Sequence, residues 1–343
     1  MTEMQAVRLH RTGGAEALSV ESVPVPEPGP GEVLLRLKAA SVNHLDIWLR
    51  EGMLPVPLPH VPGCDGAGEV AALGPGVTGI APGDRYLIWP GLACGHCAQC
   101  AAGRQNYCAG FGIFGAQCPG TYAEYQVVPA GSLVPMPDSL DFSAAATLGV
   151  AGLTPWHLLV TRGGVRPGHT VLVRGAGSGV GMFAIRIARR FGARVLATAG
   201  SPEKMEKGRE LGADEVFSHH EPVAERVREA TGGQGVDLVF DHVGAEAFSD
   251  NVACLAIGGK LLTCGTTTGA DVALGLRDLF SGQREVIGGR LGGVAELHRL
   301  TREVASGAVV PVIDSVFPLA QAEAAHRLMD GRGQFGKILL TMA

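Results

Sequence analysis

The chain has 343 residues, 46% of them hydrophobic, and a formal net charge of -5. That length exceeds what one core usually serves and predicts two domains, while the acidic balance excludes a nucleic-acid face of clustered Lys and Arg. Small molecules are the expected partners, and Met1 to Gly14 carries Glu3, Arg8, His10 and Arg11 where a secretory signal needs an apolar core, which predicts a cytoplasmic protein.

From Met4 to about Val134, short alternating runs such as Glu32-Val33-Leu34-Leu35-Arg36-Leu37 are punctuated by Gly and Pro, the pattern of an irregular, mostly β domain. Inside it Cys94, Cys97, Cys100 and Cys108 follow one another at x2, x2 and x7 spacing. Four thiolates converging on one tetrahedral ion predict one Zn2+ per chain, structural because no ligand position is left open for substrate. Two disulfides or an iron–sulfur cluster are the alternatives, and the missing secretory context favours a metal. Cys64, Cys118, Cys254 and Cys264 are scattered. The most apolar stretch, Phe142 to Val160, is interrupted by Thr154, Pro155, Trp156 and His157, so it predicts a buried helix and no membrane span.

From about Gly168 to Gly265, apolar strands at 170–174, 194–198, 236–240 and 260–264 alternate with helical runs, which predicts βαβ units and a parallel sheet. The first strand runs into Gly175-Ala176-Gly177-Ser178-Gly179-Val180-Gly181, and Met182 to Arg190 reads as a helix. Glycines let a backbone approach a pyrophosphate whose charge rests on N–H groups at a helix N-terminus, so Gly175, Gly177, Ser178, Gly179, Val180 and Gly181 are predicted to bind a nicotinamide or flavin dinucleotide. At the end of the second strand, Ala199 and Gly200 stand where NAD-selective sites place a carboxylate. Ser201 and Lys204 offer a hydrogen bond or charge to a 2′-phosphate, which favours NADP(H) with NAD(H) still possible; otherwise Lys204 merely solvates the next helix. His219 and His220 read as an exposed turn. The last fifty residues return to short strands and one amphipathic helix around Leu319 to Met329.

With the cysteine lobe, the glycine turn and the domain order, the stretches Gly63-Cys64-Asp65-Gly66-Ala67-Gly68-Glu69-Val70, Gly83-Asp84-Arg85, the strand Tyr122-Ala123-Glu124-Tyr125 and Gly336-Lys337 identify a chain that resembles the medium-chain dehydrogenase/reductase superfamily over its full length. The resemblance implies an α/β protein with a GroES-like, mostly β catalytic domain over 1–150, its zinc lobe at about 91–110. A Rossmann, doubly wound parallel-sheet cofactor domain then covers 151–290, and 291–343 returns to the catalytic domain, with a cleft between the two. It further implies cofactor contacts from His44 (pyrophosphate), Thr154 (near the nicotinamide), Gly265 and Lys337. A homodimer or homotetramer through edge strands near Lys260 to Cys264 and Val286 to Gly289 is also implied.

The lobe is similar to that of zinc alcohol dehydrogenases, whose catalytic zinc is held by Cys, His and Cys with a Glu beside the His. Those places correspond here to Asn43, Cys64, Val150 and Asp65, and the proton-relay residues to Leu45 and Trp48. Neutral Asn is a poor zinc ligand and Val is none. Ser41-Val42-Asn43-His44-Leu45-Asp46 and the glycine turn look more like the zinc-independent quinone oxidoreductases, in which hydrogen-bond donors stabilise the developing oxyanion in place of a metal. The expected reaction centre is therefore Asn43, orienting a substrate oxygen or the nicotinamide ribose unless it is a local cap, with Trp48 as a flat wall or core residue. Cys64 and Asp65 complete it, either as a rearranged metal site with His44 or as a buried thiol and a backbone-bonded carboxylate. Asp241 and His242 are expected to shape the adenosine or ribose pocket more than to act as an acid–base pair. The expected reaction is hydride transfer between NADP(H) and a small carbonyl, enone or quinone without catalytic zinc. Alternatives are an alcohol dehydrogenase with an unusual catalytic zinc, or a dinucleotide-binding protein without turnover.

Overall fold

The computed structural model describes residues 2–342, which form two compact units. The first runs to Leu153 and adds Leu291–Gly307 and the chain from Ile313; the second is Thr154–Arg290 with Ala308–Val312.

The first unit is built on a seven-stranded sheet in the order Ile313–Pro318, Lys337–Thr341, Glu32–Ser41, Asp65–Leu73, Arg85–Ile88, Leu133–Pro135, with Tyr125–Pro129 pairing onto Glu32–Ser41. Its alternating strands send Val33, Leu35 and Leu37 into a core shared with Val70, Ile88, Tyr122, Ile338 and Leu340, all at most 3% exposed. The register sets Ser41 opposite both Leu339 and Asp65. Three strand ends therefore meet, and Asn43 and Lys337 lie two residues beyond that row. The expected strand at Tyr122 starts instead at Tyr125; Ala123 makes only an isolated bridge to Ala6.

The second unit holds a six-stranded parallel sheet in the order Glu215–Ser218, Arg194–Ala199, Thr170–Val173, Val236–Asp241, Leu255–Thr263, Glu285–Gly288. Val171, Leu172, Val173, Val195, Leu196 and Ala197 are fully buried, as expected of strands covered on both faces. Chain order reverses between Thr170–Val173 and Val236–Asp241, and the carboxyl ends at such a switch point are where doubly wound sheets bind ligands. The apolar stretch from Phe142 is not one regular helix. Phe142–Ala146 is capped by Asp141, and wide π turns over Leu148–Gly152 and His157–Arg162 flank Leu153–Trp156, where Pro155 lacks an N–H and crowds the carbonyl one turn back. Among the described residues no helix is long and apolar enough to cross a membrane.

Candidate functional site

Short paired strands, Gly91–Leu92 and Gly112–Ile113, close the base of the cysteine lobe. The sulfurs of Cys94 and Cys108 lie 3.6 Å apart, Cys97 and Cys100 3.6 Å, Cys94 and Cys100 3.9 Å, and Cys97 and Cys108 3.9 Å. No disulfide spans such a distance. Metal–sulfur bonds of about 2.3 Å in a regular tetrahedron put sulfurs roughly 3.8 Å apart, which these four separations match, and all four sulfurs lie within 4.8 Å of one another, so the residues fit Zn2+. Backbone N–H groups of His96 and Cys97 around Cys94 pull its thiol down to about 6, into the range where it is a thiolate at neutral pH. Among the described residues this is the one group of three or more His, Cys, Asp or Glu side chains placed to share an ion.

Where the three strand ends of the first unit meet, the polar residues are buried and bonded to one another. Lys337, 2% exposed, donates from Nζ to Val42 O at 2.7 Å and Asn43 Oδ1 at 2.6 Å. The Asn43 amide donates to Asp65 Oδ2 at 2.9 Å and lies 3.4 Å from Cys64 Sγ. Asp65 also accepts from Ser41 Oγ at 2.9 Å and from Val150 N at 2.8 Å. Burial raises the Asp65 carboxyl, with the Lys337 ammonium pulling the other way; burial likewise lowers Lys337, which Asp65, Cys64 and Asp46 hold up. The Cys64 thiol, fully buried between two carboxylates, is pushed well up and stays protonated.

Beneath this cluster a second set of buried side chains runs in one direction. Arg50, 1% exposed, grips Asp330 and donates to His326 Nδ1 at 3.3 Å. Arginine only donates, so the neutral His326 carries its proton on Nε2, which faces Tyr122 OH at 3.2 Å. Tyr122 in turn donates to Asp46 Oδ2 at 3.2 Å, the oxygen that also accepts Asn43 N at 2.8 Å as the cap of helix His44–Arg50. Burial pushes Asp46 up to about 7 and, with help from the Arg50 charge, His326 down to about 3.

In the second unit Ser178 caps helix Gly179–Arg190 by accepting Gly181 N at 2.9 Å, which leaves the N–H groups of Gly179 and Val180 with no carbonyl one turn behind them. Gly175 sits at φ +72°, and a Cβ on Gly181 would fall 2.1 Å from Gly175 O. Turn and helix start thus form a cradle that fits a pyrophosphate. A Cβ on Gly265 would lie 2.3 Å from His242 O, so that position serves close backbone packing. Past strand Arg194–Ala199, Ala199 is buried and Gly200 exposed, with no carboxylate at either place; Ser201 is already engaged by capping Lys204 N at 3.2 Å. Exposed His219 leans over Gly200, where a Cβ would lie 2.7 Å from its ring.

The structure thus brings Asn43, Cys64, Asp65 and Lys337 together, with Lys337 turned into the first unit's polar cluster. His44 and Trp48 stand apart from them, half-buried, with rings 6.4 Å apart on one helix. Thr154 is buried in the short helix Leu153–Trp156. Arg50 and His326 carry no local sequence signal, and Tyr122 stands out only as part of a strand landmark: His326 occupies an apolar-face position of helix Ala322–Asp330, where pattern alone does not tell a bonded imidazole from core filler.

The alcohol dehydrogenase GroES-like domain family matches residues 29–138, and the zinc-binding dehydrogenase family matches residues 179–306. The chain is 32% identical to a quinone oxidoreductase of Pseudomonas aeruginosa over 96% of both proteins, and 30% identical to that of Rattus norvegicus over 99% of this chain and 98% of the rat protein. A solved structure of an NAD-dependent alcohol dehydrogenase superposes with a TM-score of 0.95 at 45% identity, covering 99% of this chain and 100% of that one. With both domains matched and a dinucleotide cradle at the switch point of its parallel sheet, the chain belongs to the medium-chain dehydrogenase/reductase family of NAD(P)-dependent oxidoreductases.

Proposed function

We propose that the protein transfers a hydride between NADP(H) and a small activated carbonyl, enone or quinone, with its zinc confined to the cysteine lobe. The observation that carries this reading is the Lys337 ammonium bonded to Asn43 Oδ1 where a catalytic ion would need ligands. Asn43 turns its N–H groups toward Asp65 and Cys64, so lone pairs a metal would use are engaged, and the thiol is protonated. A buried cation already balances the carboxylates, and a dication beside it would be repelled.

A bound nicotinamide dinucleotide supplies or accepts the hydride, and the glycine turn with the start of helix Gly179–Arg190 binds its pyrophosphate. Both ends of the Asn43 amide are committed, so Asn43 holds Lys337 and Asp65 in place and does not itself grip substrate. The half-buried His44 and Trp48, with rings 6.4 Å apart and tilted by 57°, precede a loop on which Met53, Leu54 and Leu58 are exposed, and Trp48 is the aromatic side chain offered to a ring-shaped acceptor. The quinone oxidoreductases among the relatives support this class of acceptor.

The alcohol dehydrogenase reading is favoured by the relative of known structure at 45% identity, described as NAD-dependent. Zinc analysis with a substrate screen separates the two. One zinc per chain is expected, with NADPH-dependent quinone or enone reduction that survives mild chelation and poor turnover of primary alcohols, since no Lewis acid lowers their pKa. Two zincs per chain, the second lost with activity on Cys64→Ala, would establish the alcohol dehydrogenase instead. Tight cofactor binding without turnover of any acceptor would point to a binding protein.

A further inference from the structure

His242 follows strand Val236–Asp241 at the switch point, and its half-buried ring leans onto the dinucleotide turn. Nε2 lies 2.9 Å from Ser178 Oγ, and a Cβ on Gly175 would fall 2.9 Å from the same nitrogen. Ser178 Oγ also donates to Gly175 O at 3.0 Å and accepts Gly181 N at 2.9 Å. A hydroxyl has one proton and two lone pairs, so all three contacts are satisfied together when the neutral ring carries its proton on Nε2 and donates it to Ser178. The ring is thereby tied to the residue that caps the phosphate-facing helix.

The charged groups around it are few. Asp241, on its own strand, is turned to the N–H groups of Val243 and Gly244 at 3.0 and 3.3 Å. Arg174, ending the neighbouring strand, is turned to Asn251 and Asp250 at 2.6 and 2.5 Å. The segment Gly175–Met182 has no charged side chain. On the loop after Leu255–Thr263, Thr267 donates to His242 O at 3.2 Å, and the Cys264 thiol is kept protonated by burial. Burial also holds the His242 ring below the ordinary imidazole value, with Asp241 opposing.

We propose that His242 is a positioning residue for the pyrophosphate, taking up a proton as the phosphates settle on the turn, so that dinucleotide affinity rises as pH falls. The inference rests on the reading that this turn binds the dinucleotide. Phosphate charge added beside a desolvated imidazole favours its charged form, so the bound state holds more proton than the free state. Linkage then makes affinity fall as pH rises through the ring's bound-state titration.

Calorimetric titration of the intact protein with NADH, which has no 2′-phosphate to titrate, in two buffers of different ionisation heat measures the proton directly. Wild type should take up a fraction of a proton near pH 6.5 and bind about three- to tenfold more weakly at pH 8 than at pH 6, tenfold being a one-unit shift. His242→Gln should lose both the uptake and the slope. Equal uptake in the two proteins, or a variant that weakens binding by the same factor at every pH, would overturn the proposal. Wild type alone gives an independent check that needs no variant to fold: ADP-ribose should draw in the proton and adenosine should not, and absence of uptake with ADP-ribose overturns the role of the ring. Failure of NADH to bind at all would overturn the dinucleotide reading itself.

Discussion

Asp46 and His326 sit two hydrogen bonds apart and titrate in opposite senses. The His326 value of about 3 lies below the 6.5 of an unfolded imidazole, so its contribution is intact above pH 6.5 and is lost as pH falls toward 3. The Asp46 value of about 7 lies above the 3.8 of a free carboxyl, so its contribution is complete below about pH 4 and is lost as pH rises through 7. Each slope reaches about 1.4 kcal/mol per pH unit, and from about pH 6.5 to 4 they offset one another. Asp46→Asn should therefore lose stability progressively over that range, and His326→Gln should gain it, as read by urea melts at a series of pH values. Variants that merely shift the wild-type profile in parallel would refute the assignment. Lys337→Met should cost about 3–5 kcal/mol, because it leaves Asp65 buried without its counter-charge. A thermal melt equal to wild type would show that the ammonium is dispensable.

At the scale of single elements, the glycine turn and the cysteine lobe were legible because each is local: spacing within fifteen residues defines the chemistry. The polar cluster was only half legible. Asn43, Cys64 and Asp65 are picked out by their motifs, but that Lys337 meets them depends on the pairing of Leu339 with Ser41, and no local pattern encodes a register between segments nearly three hundred residues apart. The wide turns around Pro155 and the late start of strand Tyr125–Pro129 were hidden for the same reason, since packing overrode a plain apolar pattern. Cys97→Ala should melt the lobe, seen as rapid hydrogen exchange at residues 91–110 and loss of zinc, because a structural ion contributes folding energy. Lost turnover in a variant that keeps zinc and native melting would contradict this. Gly200→Asp should swing preference from NADPH toward NADH by supplying the missing carboxylate, and His219, at an exposed site, has room to turn aside. Unchanged dissociation constants for both cofactors would count against Gly200 as the discriminating position.

Over the whole molecule, the strand expected at Lys260 to Cys264 lies inside the sheet as Leu255–Thr263, and Glu285–Gly288 is the edge on that side, with Glu215–Ser218 the opposite one. Leu276 and Phe280, on the helix Leu276–Gly282 that leads into that strand, are 73% and 71% exposed, and Val286 within it is 37% exposed. A free strand edge flanked by large apolar side chains suits pairing with a second copy. Phe280→Asp should shift the sedimenting species from dimer or tetramer toward one chain. A wild-type mass of a single chain at micromolar concentration would remove the proposal.

The meeting of three strand ends also has a biosynthetic side. Ser41, Asn43 and Asp65 leave the ribosome early, whereas their counter-charge arrives with Lys337, after the entire second unit has been made. Until then Asp65 has reason to stay hydrated and the nascent sheet to stay open at that corner. A chain halted within its last helix, Ala322–Asp330, would thus contain the whole glycine turn but lack the ammonium that bonds Asn43 and closes the polar cluster.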